Sequence, residues 1–508
     1  MNNINFKLSN FLDDDEFSFL QDKKEIYKDD LFFWDSNFQP QVITIPKSKN
    51  KVIDIVKFAE VNSKKIYLVG GGFSYTNSFS PELPDSILID LSRLNKVIEI
   101  NKKSRYVIVE AGCTWKKLYD ELKPYEMVVD FPAPLSGSHS TVGGAISQGV
   151  PGGMQGVLGL EILLPDNSVI KTGSWSLKNK SKPFYRNYGP DTSGLFIGDN
   201  GIYGIKLSVA LHLKPKQNGK AYASFDFKSY EDLASSMVEL SKFDFIVRRT
   251  GLDPYETRNI SKVGLGDGIK TVIKALSENQ SLIKRLSNTS SLMKTGISFL
   301  NDCNWTLHLK VEGINDDHAE MTMQKVREVC LKKSREIPSI LPMARDLVGF
   351  SIRKFLGPSG ERWVATSGLF PIEESLHIAQ KIQEFFRKEK KSMDKYNVVH
   401  SFITNFSQYY FLCEPCFYWN DKLTNRHLNN IGITEKLNYS KFPDNLSTRA
   451  YVIELRNKLR NFFFMHGAVH VQIGNFYNFR DSIDDNYENF LTTIKNTLDP
   501  KMILNPKK

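Results

Sequence analysis

The sequence predicts a two-domain α+β protein, and three observations carry that reading. A length of 508 residues exceeds what one small hydrophobic core organises, so two domains are expected. Between residues 41 and 216, short alternating apolar segments typical of strands are interspersed with a few segments at helical spacing. Between Tyr67 and Gly204 three glycine-rich turns follow one another. Hydrophobic content of 41% and charged content of 24% are ordinary for a globular chain.

Taken in order, residues 1–38 read as a polar entry segment with scattered aromatics. Val52, Ile55, Val56 and Ala59 recur at helical spacing. Ile66–Val69 reads as a strand entering the first glycine turn, and 87–91, 96–100 and 106–111 as further strands. Thr114 is placed to N-cap a helix over 115–122. Residues 158–164, the turn Pro165-Asp166-Asn167-Ser168, and 169–172 form a hairpin, and 207–213 closes the domain with alternating apolar residues. Beyond Gln217 strand-like segments (305–312, 363–370, 398–405) alternate with helical ones (317–332, 372–388, 448–461). Ala468 to Ile473 is read as a strand that puts His470 and Gln472 on one face. No internal repeat or low-complexity tract is visible.

The glycine turns carry the chemistry. The first is Val69-Gly70-Gly71-Gly72-Phe73-Ser74-Tyr75-Thr76-Asn77. The second runs from Phe131 through Pro132, Ala133, Ser138, His139, Ser140, Thr141, Gly143 and Gly144 to Ser147. The third runs from Tyr188-Gly189-Pro190-Asp191 through Gly198, Gly201 and Gly204 to Ile205. Glycine admits positive φ and lets backbone N–H groups approach a ligand, and successive amides form concave anion sites. A Rossmann fingerprint is excluded, because Phe73-Ser74-Tyr75 supplies no third glycine and Pro81 and Pro84 interrupt the helix that should follow. A tight turn without a ligand is the competing reading of any one loop. Three in this order, with Arg93-Leu94-Asn95 and Glu110-Ala111-Gly112 between them, resemble the FAD domain of the vanillyl-alcohol oxidase/p-cresol methylhydroxylase (PCMH) superfamily. The closing Lys495 to Lys507 is similar to that family's C-terminal motif, with Lys507 in place of a glycine.

The resemblance implies a two-domain PCMH-type fold: an FAD-binding domain over 39–216, built of two small sheets, and an α+β cap or substrate domain over 217–465. A C-terminal segment, 466–508, would return to the FAD domain. FAD is the implied cofactor, its pyrophosphate held by amides of Gly70, Gly71, Gly72, Phe73 and Ser74, with Tyr75 and Asn77 nearby. Pro132, Ser138, Ser140, Thr141, Gly143, Gly144 and Ser147 would pass along the flavin, Gly201, Gly204 and Ile205 would flank the adenine side, and Asn505 would join them from the tail. Relatives tether FAD through a histidine in the first loop or a cysteine in the second. Phe73 occupies the former position and the second loop has no cysteine, so non-covalent FAD is expected, with Tyr409 and Tyr410 the alternative anchors from the cap.

The implied activity is FAD-dependent oxidation of an alcohol-type small molecule (a 2-hydroxy acid, a sugar or lactone, or an alkylphenol) by hydride transfer to flavin N5. The alternative is a non-redox flavoprotein of the same superfamily, similar to alkyl-glycerone-phosphate synthase or binding FAD structurally. Candidate catalytic groups are His139, His470, Tyr477 and Arg480. An imidazole can take a proton near neutral pH, and Tyr477 with Arg480 would stand for the phenolate-binding pair of phenol-oxidising relatives. Asn478 in place of the usual arginine, and Ala133 in place of an acidic residue, count against a phenol oxidase. Each histidine reads equally as a hydrogen-bonded core residue.

Composition bounds the partners. The net charge is +10, spread in short clusters such as Arg387-Lys388-Glu389-Lys390-Lys391 that read as solvated helix faces. No nucleic-acid module accompanies them. The five cysteines make no disulfide framework, and Cys413-Glu414-Pro415-Cys416 lacks a second pair for zinc, so a buried strand edge is expected there and no metal site. No basic-then-apolar leader opens the sequence and no apolar run approaches a membrane span, so a cytoplasmic location is the expectation. The electron acceptor is left open.

Overall fold

The structure is a computed structural model that describes all residues except 1–7, 20–26, 28–29, 33–39, 131–135, 151–153, 261–268, 271, 273–297, 351–354, 440–441 and 507–508. They divide into two compact units. One comprises 1–216 with 424–430 and 471–508; the other comprises 217–423 with 431–470. The segment 424–430, inside the range read as cap, thus clusters with the first unit.

In the first unit, β1 (Phe17–Phe19), β2 (Val42–Thr44), helix α1 (Lys49–Val61), β3 (Ile66–Val69) and β4 (Ile87–Asp90) make a four-stranded sheet of order β1-β2-β4-β3 with its helix. Strands β2 and β3 both run parallel to β4. Ser48 caps α1 by accepting from the Lys51 amide, and the helical stripe read from sequence is buried as expected. Val52, Ile55, Val56 and Ala59 pack against Ile66, Ile87, Ile89, Leu207 and Leu504 in one core.

A second, antiparallel sheet follows from β5 (Val97–Asn101), β6 (Tyr106–Glu110), helix α2 (Trp115–Leu122), β7 (Met127–Val129), helix α3 (Val142–Ser147), β8 (Val157–Leu163), β9 (Val169–Lys171) and β10 (Ile205–Pro215). Its order is β5-β6-β10-β8-β9, with β7 paired to the far end of β10. Thr114 caps α2 from the Lys117 amide as predicted. These are the two small sheets expected of the fold, and β3, β6 and α3 bring the glycine turns to one region of the unit.

The second unit is one antiparallel sheet with helices. It contains β11 (Gly219–Phe227), α4 (Tyr230–Leu240), β12 (Ile246–Leu252), β13 (Trp305–Gly313), α5 (Asp316–Cys330), β14 (Ser334–Ile337), α6 (Ile340–Val348), β15 (Arg362–Ala365), β16 (Gly368–Pro371), α7 (Ser375–Lys395), β17 (Val399–Phe406), β18 (Tyr410–Trp419) and α8 (Leu446–Met465). The order is β14-β11-β13-β12-β17-β18-β15, with β16 also on β18. On β13, Leu307, Leu309 and Val311 are buried on one face, where Trp305 stacks on Tyr230 of α4 at 4.4 Å. Thr306, His308 and Lys310 occupy the other face. There burial pushes His308 down to about 3 while its ring nitrogens meet Ser224 and Thr306 at 2.9 and 3.0 Å. Burial raises the Asp346 carboxyl, but Arg248, Lys310 and Lys220 outweigh it and hold the group below the usual carboxylate range.

Three expectations are corrected here. The strand read over 363–370 is two strands, β15 and β16, in one common register on β18. The break lies opposite Pro415, which has no N–H to give the ladder; Thr366 still donates to the Pro415 carbonyl at 3.0 Å. The Cys413–Cys416 stretch is an interior strand, not an edge, since β18 has β17 on one side and β15 and β16 on the other. Both thiols are fully buried, and their odd spacing sends them to opposite faces. The strand read over 468–473 does not form. Val469 makes one isolated bridge to Leu369, and a left-handed Gln472, φ 56°, turns the chain.

Candidate functional site

The first glycine turn leaves β3 with no room for side chains. A Cβ on Gly70 would run into the Thr141 hydroxyl, and one on Gly71 into the His139 carbonyl. Gly72 has φ +69°, and a Cβ there would collide with the Arg426 guanidinium. The three glycines therefore answer to three different neighbours. No partner for the Gly70, Gly71 or Gly72 amides is found among the described residues, although all three line a cleft. Amides in that state are an anion cradle.

The second turn is fixed from beneath. The Thr141 hydroxyl accepts the Gly144 amide at 3.2 Å and caps α3. The amides of Val142 and Gly143 are consumed by the carbonyls of Cys113 and Ala111, each at 2.8 Å. Ring stacking joins the first two turns: Phe73 and His139 lie 4.3 Å apart and nearly parallel, at 8°. Burial pushes the His139 pKa below its ordinary value, so the ring is neutral at neutral pH.

In the third turn the Gly198, Asn200, Gly201 and Ile202 amides all find protein acceptors. Gly198 and Asn200 donate to the carbonyls of Ile146 and Ser147, each at 2.8 Å, tying it to the end of α3. The Lys495 ammonium, nearly buried, reaches the Ile202 and Leu504 carbonyls at 2.7 Å and Asp499 at 2.6 Å. Asn505 holds the Asn200 carbonyl at 2.8 Å, and its amide bonds to Ile66 at 2.9 Å. Beside them Lys206 and Asp199 form a buried ion pair, in which burial drives the acid's pKa up and the amine's down. The Gln148 and Asn200 carboxamides bond to each other, leaving Gln148 Oε1 and Asn200 Nδ2 buried without a protein partner on the wall of the cleft.

Residues 40–173 match the family described as FAD binding domain. Over 200 residues the chain is 28% identical to the mitochondrial cytochrome D-lactate dehydrogenase 1 of Saccharomyces cerevisiae, covering 37% of this chain and 32% of that protein. It is 29% identical over 188 residues to the flavoprotein subunit of the hydroxylating 4-cresol dehydrogenase of Pseudomonas putida, covering 35% of each. The chain thus spans about a third of the length of these two curated relatives. Its fold is similar to that of p-cresol methylhydroxylase with substrate bound, with TM-score 0.74, 17% identity, and 99% of this chain and 95% of that one covered. Residues 40–173 thus carry an FAD binding domain, within a chain whose two-domain fold is of the PCMH type.

FAD is the cofactor of this chain, and its first unit fits the group on three counts: glycine amides and wall polar atoms that have no partner among the described residues, and a cradle that no Cβ would enter. Of the residues read from sequence, Gly70 to Ser74, Ser140, Thr141, Gly143, Gly144, Ser147 and Gly201 line the cleft. Tyr75, Asn77, Ser138, Gly204, Ile205 and Asn505 are not among the lining residues. Asn77 is left-handed, φ 56°, with its amide on Asp30 at 2.7 Å, and a Cβ on Gly204 would strike Ile162. Pro132, Ala133 and Lys507 lie outside the described residues. Tyr477 is buried against Phe476, while Arg480 pairs with Glu488 at 3.1 Å near the surface. His470 belongs to the second unit, where burial pushes it down to about 4.

Sequence reasoning missed Arg426, Lys206, Gln148 and Gln472. Arg426 is buried on a helical turn, Asn425–Leu428, and its guanidinium lies over Phe79 at 5.0 Å as well as against Gly72. No local motif marks it, because its partner is some 350 positions away. Gln148 follows directly on the second turn and was within reach of a search for polar side chains beside the glycines.

Proposed function

We propose that the protein is an FAD-dependent oxidoreductase that oxidises a hydroxyl-bearing small molecule, with a 2-hydroxy acid as the substrate class. The observation that carries the reading is the row of Gly70, Gly71 and Gly72 amides on the cleft, which have no partner among the described residues. The acid class is supported by the names of curated relatives, D-lactate dehydrogenases among them, and by the state of Arg480. An alkylphenol reader would need that guanidinium for the phenolate, and it is spent on Glu488.

When bound, the flavin supplies a hydride acceptor; the substrate C–H bond breaks with its electron pair, the hydroxyl proton goes to a base, and the carbonyl forms. The protein's own part is to bind, orient and take that proton. The three glycine amides would hold the diphosphate, and Gln148 and Asn200 would offer the cofactor one acceptor and one donor. His139, its pKa lowered by burial, is unprotonated at neutral pH, the form a general base requires. FAD is held non-covalently, since Phe73 replaces the first-loop histidine and the second loop has no cysteine. A cytoplasmic location is part of the same proposal.

The test is anaerobic mixing of the yellow protein with D-lactate, D-2-hydroxyglutarate, 4-cresol and a sugar lactone. Bleaching by a hydroxy acid is expected. Bleaching by 4-cresol alone would replace the acid with a phenol. FAD present but unreduced by any of them would favour the non-redox alternative. Acid precipitation should leave all flavin in the supernatant.

A further inference from the structure

The stretch between Asp166 and Asp191 contains no acidic residue but five basic ones, Lys171, Lys178, Lys180, Lys182 and Arg186. Arg186 is taken by Asp191, with Nη2 to Oδ2 at 2.7 Å, and Lys171 lies over the Trp175 ring at 5.0 Å. Lys178, Lys180 and Lys182 are exposed and enter no ion pair among the described residues. Beside them stand three aromatics that are more than half exposed: Phe184 at 58%, Tyr185 at 54% and Tyr188 at 60%. Aromatic side chains gain more than most from burial, so three together in water on one loop mark an interaction surface.

These side chains do not reach water by fraying of the loop. The buried Ser174 hydroxyl accepts the amides of Phe184 and Tyr185, each at 3.0 Å, and donates to the Lys182 carbonyl at 2.7 Å. The Ser174 amide in turn donates to the Tyr185 carbonyl at 2.7 Å, and Arg186 donates to the Met154 carbonyl at 2.8 Å. The backbone is pinned from inside the first unit, and the lysines and aromatics project outward from it.

We propose that residues 178–188 dock the protein on an anionic lipid surface. The composition decides between possible occupants. Lysine is depleted from the centres of protein–protein interfaces. Lysine beside tyrosine and phenylalanine suits the headgroup zone of a bilayer, where ammonium groups meet lipid phosphates and amphipathic rings enter the boundary. The attachment is peripheral, since no helix among the described residues is long and apolar enough to cross a membrane. The inference stands apart from the assignment of substrate.

Cosedimentation of the full-length, FAD-loaded protein with phosphatidylcholine vesicles, with and without phosphatidylglycerol, tests it. Binding is expected only with the anionic lipid and is lost at high salt. Combined Lys178→Gln, Lys180→Gln and Lys182→Gln should weaken it roughly 100-fold, on the basis of about one kcal/mol per lysine. Phe184→Ser with Tyr188→Ser should weaken it at unchanged charge, and flavin content should stay at the parental level in both variants. Equal binding to neutral vesicles, parental binding by the triple variant, or no binding at all would overturn the proposal. So would a dimer in solution that the aromatic variant dissociates, which would assign the patch to a second copy of the chain.

Discussion

The first and third glycine turns look alike in sequence and do opposite work. In the first, the Gly70, Gly71 and Gly72 amides have no partner among the described residues and face a cleft. In the third, Gly198, Asn200 and Gly201 donate to Ile146, Ser147 and Asp199, and the C-terminal Lys495 and Asn505 close over the turn. The difference lies in whether an acceptor oxygen stands within reach of each amide. Ile146, Ser147 and Asp199 supply one to the amides of the third turn, and no described residue supplies one to Gly70, Gly71 or Gly72. The first turn thus keeps its backbone amides for a ligand, while the third, which also lines the cleft at Asn200 and Gly201, is braced by the C-terminal tail.

Four experiments break or sharpen that contrast. The largest effect is expected from Lys495→Met, which removes the brace and leaves the buried Asp499 without its cation. Loss of one partner of a buried pair typically costs about 3–5 kcal/mol. The melting temperature of the flavin-free protein should fall accordingly, and an unchanged value would mean the tail is not holding the turn. Next is Gly72→Val, which meets both a positive φ and the Arg426 guanidinium. Titration of the flavin-free protein with FAD should show affinity weakened on the order of 100-fold or more, about 2.7 kcal/mol. Full loading would reduce the first turn to a connector.

A smaller effect is expected of Gln148→Leu. It removes an orphaned acceptor from the wall, and FAD affinity should drop about 10-fold, the worth of one good hydrogen bond. Tighter binding in this variant would mean the carboxamide faces no ligand atom. The smallest concerns His139, whose folded pKa lies below 6.5 because of burial. A depressed imidazole contributes stability that is fully present above pH 6.5 and lost as pH falls toward the folded value. The melting temperature of the flavin-free protein should therefore fall gently below that pH in the parent. His139→Phe, which can keep the stack on Phe73, should flatten the profile, and an identical slope would place the titration elsewhere.

Local chemistry was legible in the sequence wherever a neighbour in the chain decides the conformation. The Val52-Ile55-Val56-Ala59 stripe, the Thr114 cap and the 158–172 hairpin were all readable because spacing and a capping hydroxyl act within a few residues. Reading failed where a distant strand interferes. Residues 363–370 carry a continuous strand pattern, and only Pro415 on the facing strand interrupts the ladder. The stretch 468–473 also alternates, but no strand lies along it beyond the single Leu369 bridge, so alternation had nothing to pair with.

The sequence by itself determined the class of fold and, through the resemblance its three glycine turns carry, the cofactor, because glycine widens the accessible φ and removes side-chain volume locally whatever surrounds it. Only the tertiary structure decided which glycines keep their amides for a ligand. It also delivered Arg426 to the back of Gly72, closed Lys495 over the third turn, and buried Lys206 against Asp199. The Arg426 and Lys495 contacts depend on packing between segments hundreds of residues apart, and the Lys206–Asp199 pair on the burial that surrounds it. The free energy of an amide, a carboxylate or an ammonium is set by which atoms stand within hydrogen-bond reach, and the order of residues along the chain does not specify that.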